Sequence, residues 1–173
     1  MNLPVIRIEM LDHRNIVVAR KIHALLACAH AQEFKLYQAD QFSPLKQTTD
    51  DIQTSDAYFL GALHNDTIVG SVSVGHDDEQ GQISIEFLAV HPSHQRQGIG
   101  KSLLLEALRL GNGAPFSVVA GAENAPALTL YKKLGFVEYR RGTLGPESLV
   151  MVKLRRARSN GDQVTPPNKA SPD

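Results

Sequence analysis

The sequence predicts a mixed α/β domain built around one sheet. Segments in which apolar and polar residues alternate are interspersed with segments in which apolar residues recur every three or four positions. These are the periods of strands and of amphipathic helices, and turns rich in Gly, Asn and Asp separate the segments. With 173 residues, the chain is long enough for one domain with a substantial core. The predicted order is strand, helix, three strands, helix, strand, helix and two strands.

The first third of the chain is predicted to form a strand and a long helix. Residues 5–10 alternate as in a strand, and residues 12–37 follow a helical period with Asp12 as the N-cap. Residues 38–55 lack a clear period, so we expect a loop, with or without a short helix. Cys28 is expected to be a small buried residue of the long helix. The predicted buried stripe of this helix consists of Ile16, Ala19, Ile22, His23, Leu26 and either Ala29 or His30.

Three consecutive antiparallel strands are predicted in the centre. Residues 57–63 and 67–74 flank the turn His64-Asn65-Asp66, as in a hairpin, and residues 82–90 form the next strand. Strict alternation places two sets of side chains on opposite faces of that third strand. One set is Ile83, Ile85, Phe87 and Ala89, and the other is Ser84, Glu86, Leu88 and Val90.

The remainder is predicted to contain two helices and three strands. Residues 98–110 and 124–134 are helical, with Pro126 in the first turn of the second helix and Gly135 as its left-handed C-cap. Strands are predicted over residues 116–120, 136–140 and 149–154. The buried stripe of the first helix is Ile99, Leu103, Ala107 and Leu110. Residues 155–173 are polar and aperiodic, which predicts a disordered tail after a domain over residues 5–154.

Composition excludes several classes of function. Eighteen basic residues balance 18 acidic ones, so the chain lacks the basic field of a dedicated nucleic-acid binder. The single cysteine excludes a multi-cysteine metal site, and no helical H-x-x-x-H pair occurs, so no metal is predicted. No apolar run approaches the roughly 20 residues that cross a bilayer. Because no signal-peptide pattern opens the chain, we expect a cytoplasmic protein without membrane contact.

The segment Gln95-Arg96-Gln97-Gly98-Ile99-Gly100-Lys101 joins a predicted strand to a predicted helix. The first turn of a helix has unpaired N–H donors and the positive end of the helix dipole, which attract anions. Gly98 and Gly100 lack the Cβ atoms that would hold a phosphate away from the backbone. Arg96 and Lys101 add positive charge. The segment therefore suits a diphosphate bound mainly by the main chain.

Two common phosphate-binding motifs do not fit this segment. The P-loop pattern G-x-x-x-x-G-K-[ST] requires glycine where Gln95 stands, although Gly100-Lys101-Ser102 matches its end. The dinucleotide pattern G-x-G-x-x-G requires a third glycine where Leu103 stands. The pattern that remains is [Q/R]-x-x-G-x-[G/A] after an apolar strand.

This pattern resembles the coenzyme-binding motif of the GNAT superfamily, the acetyl-CoA-dependent N-acyltransferases, nearly throughout ISIEFLAVHPSHQRQGIGKSLLLEAL. The segment ENAPALTLYKKLGF resembles a second motif of that family, with matches at Asn124, Ala127, Tyr131, Gly135 and Phe136. The resemblance extends from about residue 5 to residue 154. It implies a GNAT-like fold, with a mostly antiparallel twisted sheet of about six to seven strands. That sheet would be splayed at its middle and flanked by three to four helices.

The resemblance also implies acetyl-CoA as co-substrate and shows where it would bind. The strand before the loop would carry a bulge and splay from the next strand, so that the main chain of Leu88 and Val90 pairs with pantetheine. The N–H of Leu88 would polarise the thioester carbonyl. The coenzyme-binding residues so predicted are Leu88, Ala89, Val90, Gln95, Arg96, Gln97, Gly98, Ile99, Gly100, Lys101, Asn124, Ala127 and Tyr131.

Two residues are predicted to move protons. Tyr131 would return a proton to the leaving thiolate, since a phenol of pKa about 10 matches a thiolate of similar basicity; packing is its alternative role. Glu86, two residues before the proposed bulge, is the candidate base, and an exposed or salt-bridged glutamate is the alternative. A carboxylate base needs a raised pKa or a relaying water. Further candidate bases are Ser84, His76 and His91.

The predicted function is acetyl transfer to a primary amine of a small molecule, amino acid or peptide, by direct attack in a ternary complex. The acceptor groove would be lined by the first helix and residues 38–55, including Glu33, Phe34, Tyr37 and Phe42, which do not select among these acceptors. One alternative is an acetyl-CoA sensor without turnover, and another is a protein that binds a different nucleotide. No specific nucleic acid is expected as a partner, and a homodimer is left open.

Overall fold

The computed structural model describes residues 5–37, 46–79, 81–145 and 148–159. These ranges contain seven strands and four α-helices, which confirms the predicted class and the predicted order apart from one added short helix. The strands are β1 (Arg7–Met10), β2 (Tyr58–His64), β3 (Thr67–His76), β4 (Ile83–Val90), β5 (Phe116–Gly121), β6 (Val137–Leu144) and β7 (Leu149–Arg156). The helices are α1 (Ile16–Tyr37), α2 (Thr49–Thr54), α3 (Ile99–Leu110) and α4 (Ala125–Lys133).

All seven strands belong to one sheet in the order β1-β2-β3-β4-β5-β7-β6. Every neighbouring pair is antiparallel except β4 and β5, which run parallel. A parallel pair needs a crossover connection, and α3 provides it. β7 continues through Arg156, two residues past the predicted end of the last strand at residue 154. Residues 160–173 of the predicted tail lie outside the described ranges.

Two apolar clusters cover the two faces of the sheet. The α3 cluster contains Leu60, Ala62, Val69, Val72, Val74, Ile85, Ile99, Leu103, Leu104, Ala107, Phe116, Val118, Ala120, Tyr131, Phe136, Val152 and Leu154. The α1 cluster contains Leu11, Ala19, Ile22, Leu25, Leu26, Ile52, Ala57, Phe59, Leu63 and Ala89. Helices α3 and α4 therefore pack on one face, while α1 and α2 pack on the other face at the N-terminal half of the sheet.

The start of α1 differs from the prediction. Asn15 caps the helix in place of Asp12, because its Oδ1 accepts the N–H of Val17 at 2.9 Å and its carbonyl accepts the N–H of Ala19 at 2.9 Å. A side-chain acceptor at this position satisfies one of the unpaired donors of the first turn. Asp12 lies in the preceding turn, where its carbonyl accepts the N–H of Asn15.

The buried stripe of α1 is also shifted. Ile16 is 41% exposed, although it was predicted to be buried, and Leu25 is buried instead. Because Leu25 and Leu26 face the sheet together, Cys28 lies outside the stripe and is exposed, so the prediction of a buried cysteine was wrong. On α3 the same kind of shift exposes Leu110 and buries Leu104.

Residues 46–55 contain the short helix that the sequence left open. Thr48 and Asp51 form a capping box: the Thr48 hydroxyl accepts the N–H of Asp51, and the Asp51 carboxylate accepts the N–H of Thr48. This reciprocal pair satisfies two donors at the helix start. Ile52 is fully buried in the α1 cluster, which fixes α2 against α1.

A polar network ties together β3, β5 and β7 near the start of β4. The Asp77 carboxylate, just after β3, accepts hydrogen bonds from Ser117 on β5 and from Lys153 on β7, the latter at 3.0 Å. Only 3% of the Asp77 side chain and 18% of the Lys153 side chain are exposed. Burial raises the pKa of Asp77, but the Glu79 backbone N–H, Ser117 and Lys153 outweigh it, so the pKa lies below its usual value. We call these residues the closing network, because β4 and β5 pair beside them.

We expect Asp77→Asn to lower the free energy of unfolding at pH 7 by about 1.5–3 kcal/mol, the range for hydrogen bonds to a charged group. The stabilisation from a depressed carboxyl pKa is present above the unfolded value of about 3.9 and is lost as pH falls through the lower folded value. The difference between variant and wild type should therefore shrink below about pH 4.

Urea unfolding at several pH values measures this difference. Glu106→Gln, which removes an exposed pair with Arg109 on α3, is the matched control and should unfold like the wild type. A deficit of Asp77→Asn that stays constant down to pH 3 would contradict the assignment.

Candidate active site

The strands β4 and β5 diverge and leave a cleft between them. They pair only at Ile83, Ile85 and the residue between these, opposite residues 116–118, and the rest of β4 has no β5 partner. The cleft has a volume of about 340 Å³ and is open to solvent. It is lined by Leu26, Ala29, His30 and Glu33 of α1, residues 86–89 of β4, residues 118–121 of β5, Asn124, Ala127 and Tyr131 at α4, and Gln47 and Met151.

A bulge at Glu86 changes the faces of β4. Ser73 pairs with Phe87 and Val74 pairs with Ile85, so Glu86 is the extra residue opposite β3. The prediction that Ile83, Ile85, Phe87 and Ala89 share one face is wrong for this reason. Ile83 and Ile85 pack with the α3 cluster together with Leu88 and Val90, whereas Phe87 and Ala89 pack with the α1 cluster.

Glu86 therefore occupies the bulge itself and not a position two residues before it. Its side chain does not share the face of Leu88, because its Oε2 accepts a 2.8 Å hydrogen bond from Ser73 on β3. A Cβ atom at Gly75 would collide with the Glu86 carboxylate, so the glycine makes room for this side chain. The exposed carboxylate is held over β3 at the wall of the cleft.

The main chain of Leu88 and Val90 forms the edge of β4 that is turned away from β3. The N–H of His91 donates to the carbonyl of Val69 on β3 at 2.8 Å. Since successive residues of a strand direct their polar groups to opposite edges, the N–H and C=O of Val90 and Leu88 point to the other edge. No β5 residue pairs with them there. Ala89 directs its side chain into the α1 cluster.

The glycine segment forms a turn with two left-handed residues before α3. Arg96 has φ of 62° and Gly98 has φ of 80°, and Gly98 is the N-cap of α3. Left-handed residues alternating with right-handed or extended ones fan the N–H groups into a concave anion site. At Gly98 the left-handed dihedral favours glycine, whereas Arg96 adopts it despite its side chain.

The side chains of this segment point in several directions. Ile99, the first residue of α3, is buried in the α3 cluster. The side chains of Arg96, Gln97 and Lys101 are exposed beside the turn. Gln95 holds the turn in place, because its amide donates to the carbonyl of Val90 at 3.0 Å. Gln95 also exchanges two hydrogen bonds with Gln32 of α1, at 2.6 and 3.1 Å.

Gly100 faces the gap between β4 and α4. A Cβ atom built there would lie 3.4 Å from Leu130 and 3.7 and 3.8 Å from Leu88 and Val90. These are ordinary contact distances, so alanine fits the fold at this position. A larger side chain would press against Leu130, Leu88 and Val90.

Tyr131 lies in the wall of the cleft. Its side chain is 5% exposed and packs against Phe136, with ring centroids 5.7 Å apart. Burial raises the pKa of the Tyr131 phenol, and the nearby Glu33 carboxylate raises it further. The phenol is therefore protonated at neutral pH, but it is a weaker acid than the unperturbed phenol whose pKa was matched to that of the thiolate.

Asn124 and Glu33 link α4 to α1. The Oδ1 of Asn124 accepts the N–H of Ala127 at 3.2 Å, which caps α4. Its Nδ2 donates to Oε1 of Glu33 at 2.9 Å. Burial raises the pKa of Glu33, while His30 and the Asn124 hydrogen bond act in the opposite direction. From the sequence, Glu33 was only one of several groove residues, because its contact with Asn124 spans 91 positions.

The other predicted residues lie at different distances from this centre. Ser84 pairs with Ser117 at the end of β4 where the strands meet, and His76 ends β3 with an exposed side chain. His91 hydrogen-bonds Ser93 beside the glycine turn and does not line the cleft. Phe34 is 40% exposed on α1. Tyr37 is the last residue of α1, and Phe42 lies outside the described residues.

Neither a metal centre nor a membrane-spanning helix is found within the described ranges. Within them, no three histidine, cysteine or acidic side chains are grouped as metal ligands. The helices found there are all too short or too polar to cross a bilayer.

The chain is similar to several known proteins. It shares 32% identity over 130 residues with UPF0157 protein YqkA of Bacillus subtilis, an alignment that covers 75% of this chain but only 37% of YqkA. The structure of the ribosomal-protein-S18-alanine N-acetyltransferase from Escherichia coli matches with a TM-score of 0.70 at 18% identity, over 92% of this chain and 98% of that one. The structure of yncA from Salmonella typhimurium with acetyl-CoA matches equally well, with a TM-score of 0.70, 18% identity and 98% of each chain covered.

These structural matches establish the fold of the chain. The family to which the chain belongs is established by a match to a family model. The model of the acetyltransferase (GNAT) family matches residues 21–136, which include the bulged strand, the glycine turn and Tyr131. The resemblance of the two motifs agrees with this match. The chain therefore belongs to the GNAT family of acetyltransferases.

Proposed function

We propose that this protein transfers an acetyl group from acetyl-CoA to a primary amine by direct attack within a ternary complex. One observation carries the proposal: the cleft between β4 and β5 contains the edge of β4 that has no β5 partner, together with a protonated tyrosine and a glutamate. Such an arrangement supplies a donor for the carbonyl, an acid for the thiolate and a base for the amine. A cytoplasmic location and a homodimer stay predictions.

The glycine turn fits the diphosphate of the coenzyme. Gly98 and Arg96 have the left-handed dihedrals of an anion-binding nest, and the first N–H groups of α3 follow directly. Arg96 and Lys101 stand beside the turn as exposed cations. The pantetheine arm would then pass Gly100, which has no side chain, on its way to the open edge of β4.

When bound, acetyl-CoA supplies a thioester carbonyl that an amine can attack. The N–H of Leu88 points to the open edge and would donate to that carbonyl oxygen as negative charge develops. Tyr131 would protonate the leaving thiolate; because its pKa is raised in the structure described, this role needs the bound coenzyme to alter the surroundings of the phenol. Asn124 has one amide hydrogen left for pantetheine after its bond to Glu33.

Glu86 is the proposed base for the attacking amine. Its carboxylate lies at the cleft wall, where Ser73 and the space over Gly75 fix its position. Because the side chain is exposed, a water molecule can relay the proton from the ammonium to the carboxylate. The acceptor would enter from the α1 side of the cleft.

Replacing Tyr131 by Phe tests the acid. We expect kcat to fall by about 100-fold or more, because the thiolate then leaves without a proton donor. The KM for acetyl-CoA should stay within about threefold, since the ring still packs against Phe136. Thiol release with a panel of polyamines, amino acids, aminoglycosides and short peptides measures both constants. In the wild type, kcat should show no decline from phenol ionisation below about pH 10.

Unchanged turnover in Tyr131→Phe would remove the tyrosine from the mechanism. Acetyl-CoA binding without turnover on any acceptor would favour a sensor instead of an enzyme. If ATP raises the melting temperature and coenzyme A does not, the protein binds a different nucleotide and not acetyl-CoA.

Replacing Gly100 by Val tests the coenzyme path. We expect the Kd for coenzyme A to rise at least about tenfold, because the side chain fills the gap between β4 and α4. Gly142→Val on β6 is the matched control, since nothing lies within 4 Å of a Cβ atom there. Isothermal titration measures both, and an equal melting temperature shows that the fold is intact. An unchanged Kd would mean that the coenzyme takes another route.

Replacing Glu86 by Gln tests the base. We expect kcat to fall by about 100-fold, with an unchanged Kd for coenzyme A, because only proton removal is impaired. Gly75→Ala should also lower kcat, since its methyl group displaces the Glu86 carboxylate. Glu9→Gln on β1 is the control for loss of one carboxylate. Full activity in both Glu86→Gln and Gly75→Ala would show that another group accepts the proton.

A further inference from the structure

The cleft is negatively charged. Its lining includes two carboxylates, Glu33 on α1 and Glu86 on the β4 bulge, and contains neither lysine nor arginine. His30 is the other ionisable side chain of this lining, apart from the phenol of Tyr131. Among the described residues, no lysine or arginine forms an ion pair with either carboxylate. The cleft thus presents two anions on different walls.

Glu33 is held in a defined position. The Oδ1 of Asn124 is occupied by the cap of α4, so the amide nitrogen is directed to Oε1 of Glu33 at 2.9 Å. This hydrogen bond joins α1 to α4 and fixes the carboxylate at the cleft. A fixed carboxylate loses little conformational freedom on binding a ligand, which favours recognition of a cation.

The environment of Glu33 disfavours an isolated anion. The side chain is half-buried, and burial raises its pKa. His30 on the same helix and the Asn124 amide counteract this only in part. A carboxylate that is partly desolvated without a strong cationic partner is stabilised when a ligand cation binds beside it. Glu86 has the Ser73 hydroxyl and solvent as its partners instead.

We propose that the acceptor is an aliphatic amine with two ammonium groups, a short diamine or a polyamine, and that Glu33 binds the ammonium that is not acetylated. This inference rests on the proposed function and names its substrate class. Glu86 receives the reacting end of the molecule. Leu26 of α1 and Phe87 of β4 give the cleft apolar surface, against which a methylene spacer can pack.

The proton balance follows from this placement. The reacting ammonium passes one proton to Glu86, which releases it to water, and the free amine attacks the thioester carbon. The C–N bond forms, the C–S bond breaks, and the thiolate takes the proton of Tyr131. The second proton of the attacking nitrogen restores Tyr131. One proton is released in each turnover, and the ammonium at Glu33 keeps its charge throughout.

The test uses acceptors that differ only at the far end. The purified 173-residue protein is assayed by thiol release with acetyl-CoA and 1,4-diaminobutane, n-butylamine or 4-aminobutanoate. We expect the wild-type kcat/KM for the diamine to exceed that for butylamine at least about tenfold, with the anionic acceptor poorest. In Glu33→Gln, the KM for the diamine should rise about tenfold, while the KM values for butylamine and acetyl-CoA stay unchanged.

Two further variants separate recognition from structure. Glu33→Asp keeps the charge and should recover part of the preference for the diamine. Glu123→Gln removes an exposed carboxylate beside Asn124 that does not line the cleft, and it should retain the wild-type preference. If Glu33 has only a structural role, the ratio of kcat/KM for the diamine to that for butylamine is the same in Glu33→Gln as in the wild type, and that outcome overturns the proposal. Equal kcat/KM for diamine and butylamine in the wild type also overturns it.

A binding measurement covers the case of no turnover. Isothermal titration of 1,4-diaminobutane into the protein with coenzyme A present should give a Kd at least about tenfold lower than that of butylamine, and Glu33→Gln should abolish the difference. If this difference in Kd is found but no thiol is released, the proposal of acetyl transfer is wrong, whereas the proposal of a cation site at Glu33 is supported. If neither amine binds, or if only a basic peptide does, the assignment of a diamine is overturned.

Discussion

The short parallel contact between β4 and β5 is the constraint on which the site depends. Three paired residues join the strands, and beyond them the two halves of the sheet separate. The closing network of Asp77, Ser117 and Lys153 fastens the paired end through one carboxylate. This network links the segment after β3 to β5 and β7 beside the three residues where β4 and β5 pair.

Most of the fold follows from local patterns in the sequence. The hairpin at Asn65 and Asp66, the glycine turn before α3 and the cap at Gly135 each depend on residue types with particular backbone preferences. The predictions of which side chains share a face were wrong where a single residue shifts the strand pairing. The bulge at Glu86 reverses the alternation of faces in β4, and no particular residue type in the sequence indicates a bulge of this kind. The burial of Leu25 in place of Ile16 likewise reflects how α1 is rotated on the sheet.

The parts of the candidate site that are formed by the backbone could be predicted from the sequence. Gly98 and the residues of the second motif stand in fixed order along the chain, so a pattern can identify them. The partner of Asn124 was not predictable, because Glu33 lies 91 residues earlier and only the packing of α1 brings the two together. The same holds for the space that Gly75 provides for Glu86. Side-chain pairs of this kind depend on tertiary structure, which the spacing of residues in one sequence does not contain.

The neighbours Gln32 and Glu33 give α1 an additional role. Gln32 is hydrogen-bonded to the glycine turn through Gln95, and Glu33 is hydrogen-bonded to the start of α4 through Asn124. A shift of this one helical turn therefore changes both contacts at once. Thermodynamic linkage makes such an effect reciprocal. If a bound acceptor changes the affinity for the coenzyme by some factor, the bound coenzyme changes the affinity for the acceptor by the same factor. If the two ligands bind as proposed, each therefore lies beside a residue that is hydrogen-bonded to the same turn of α1.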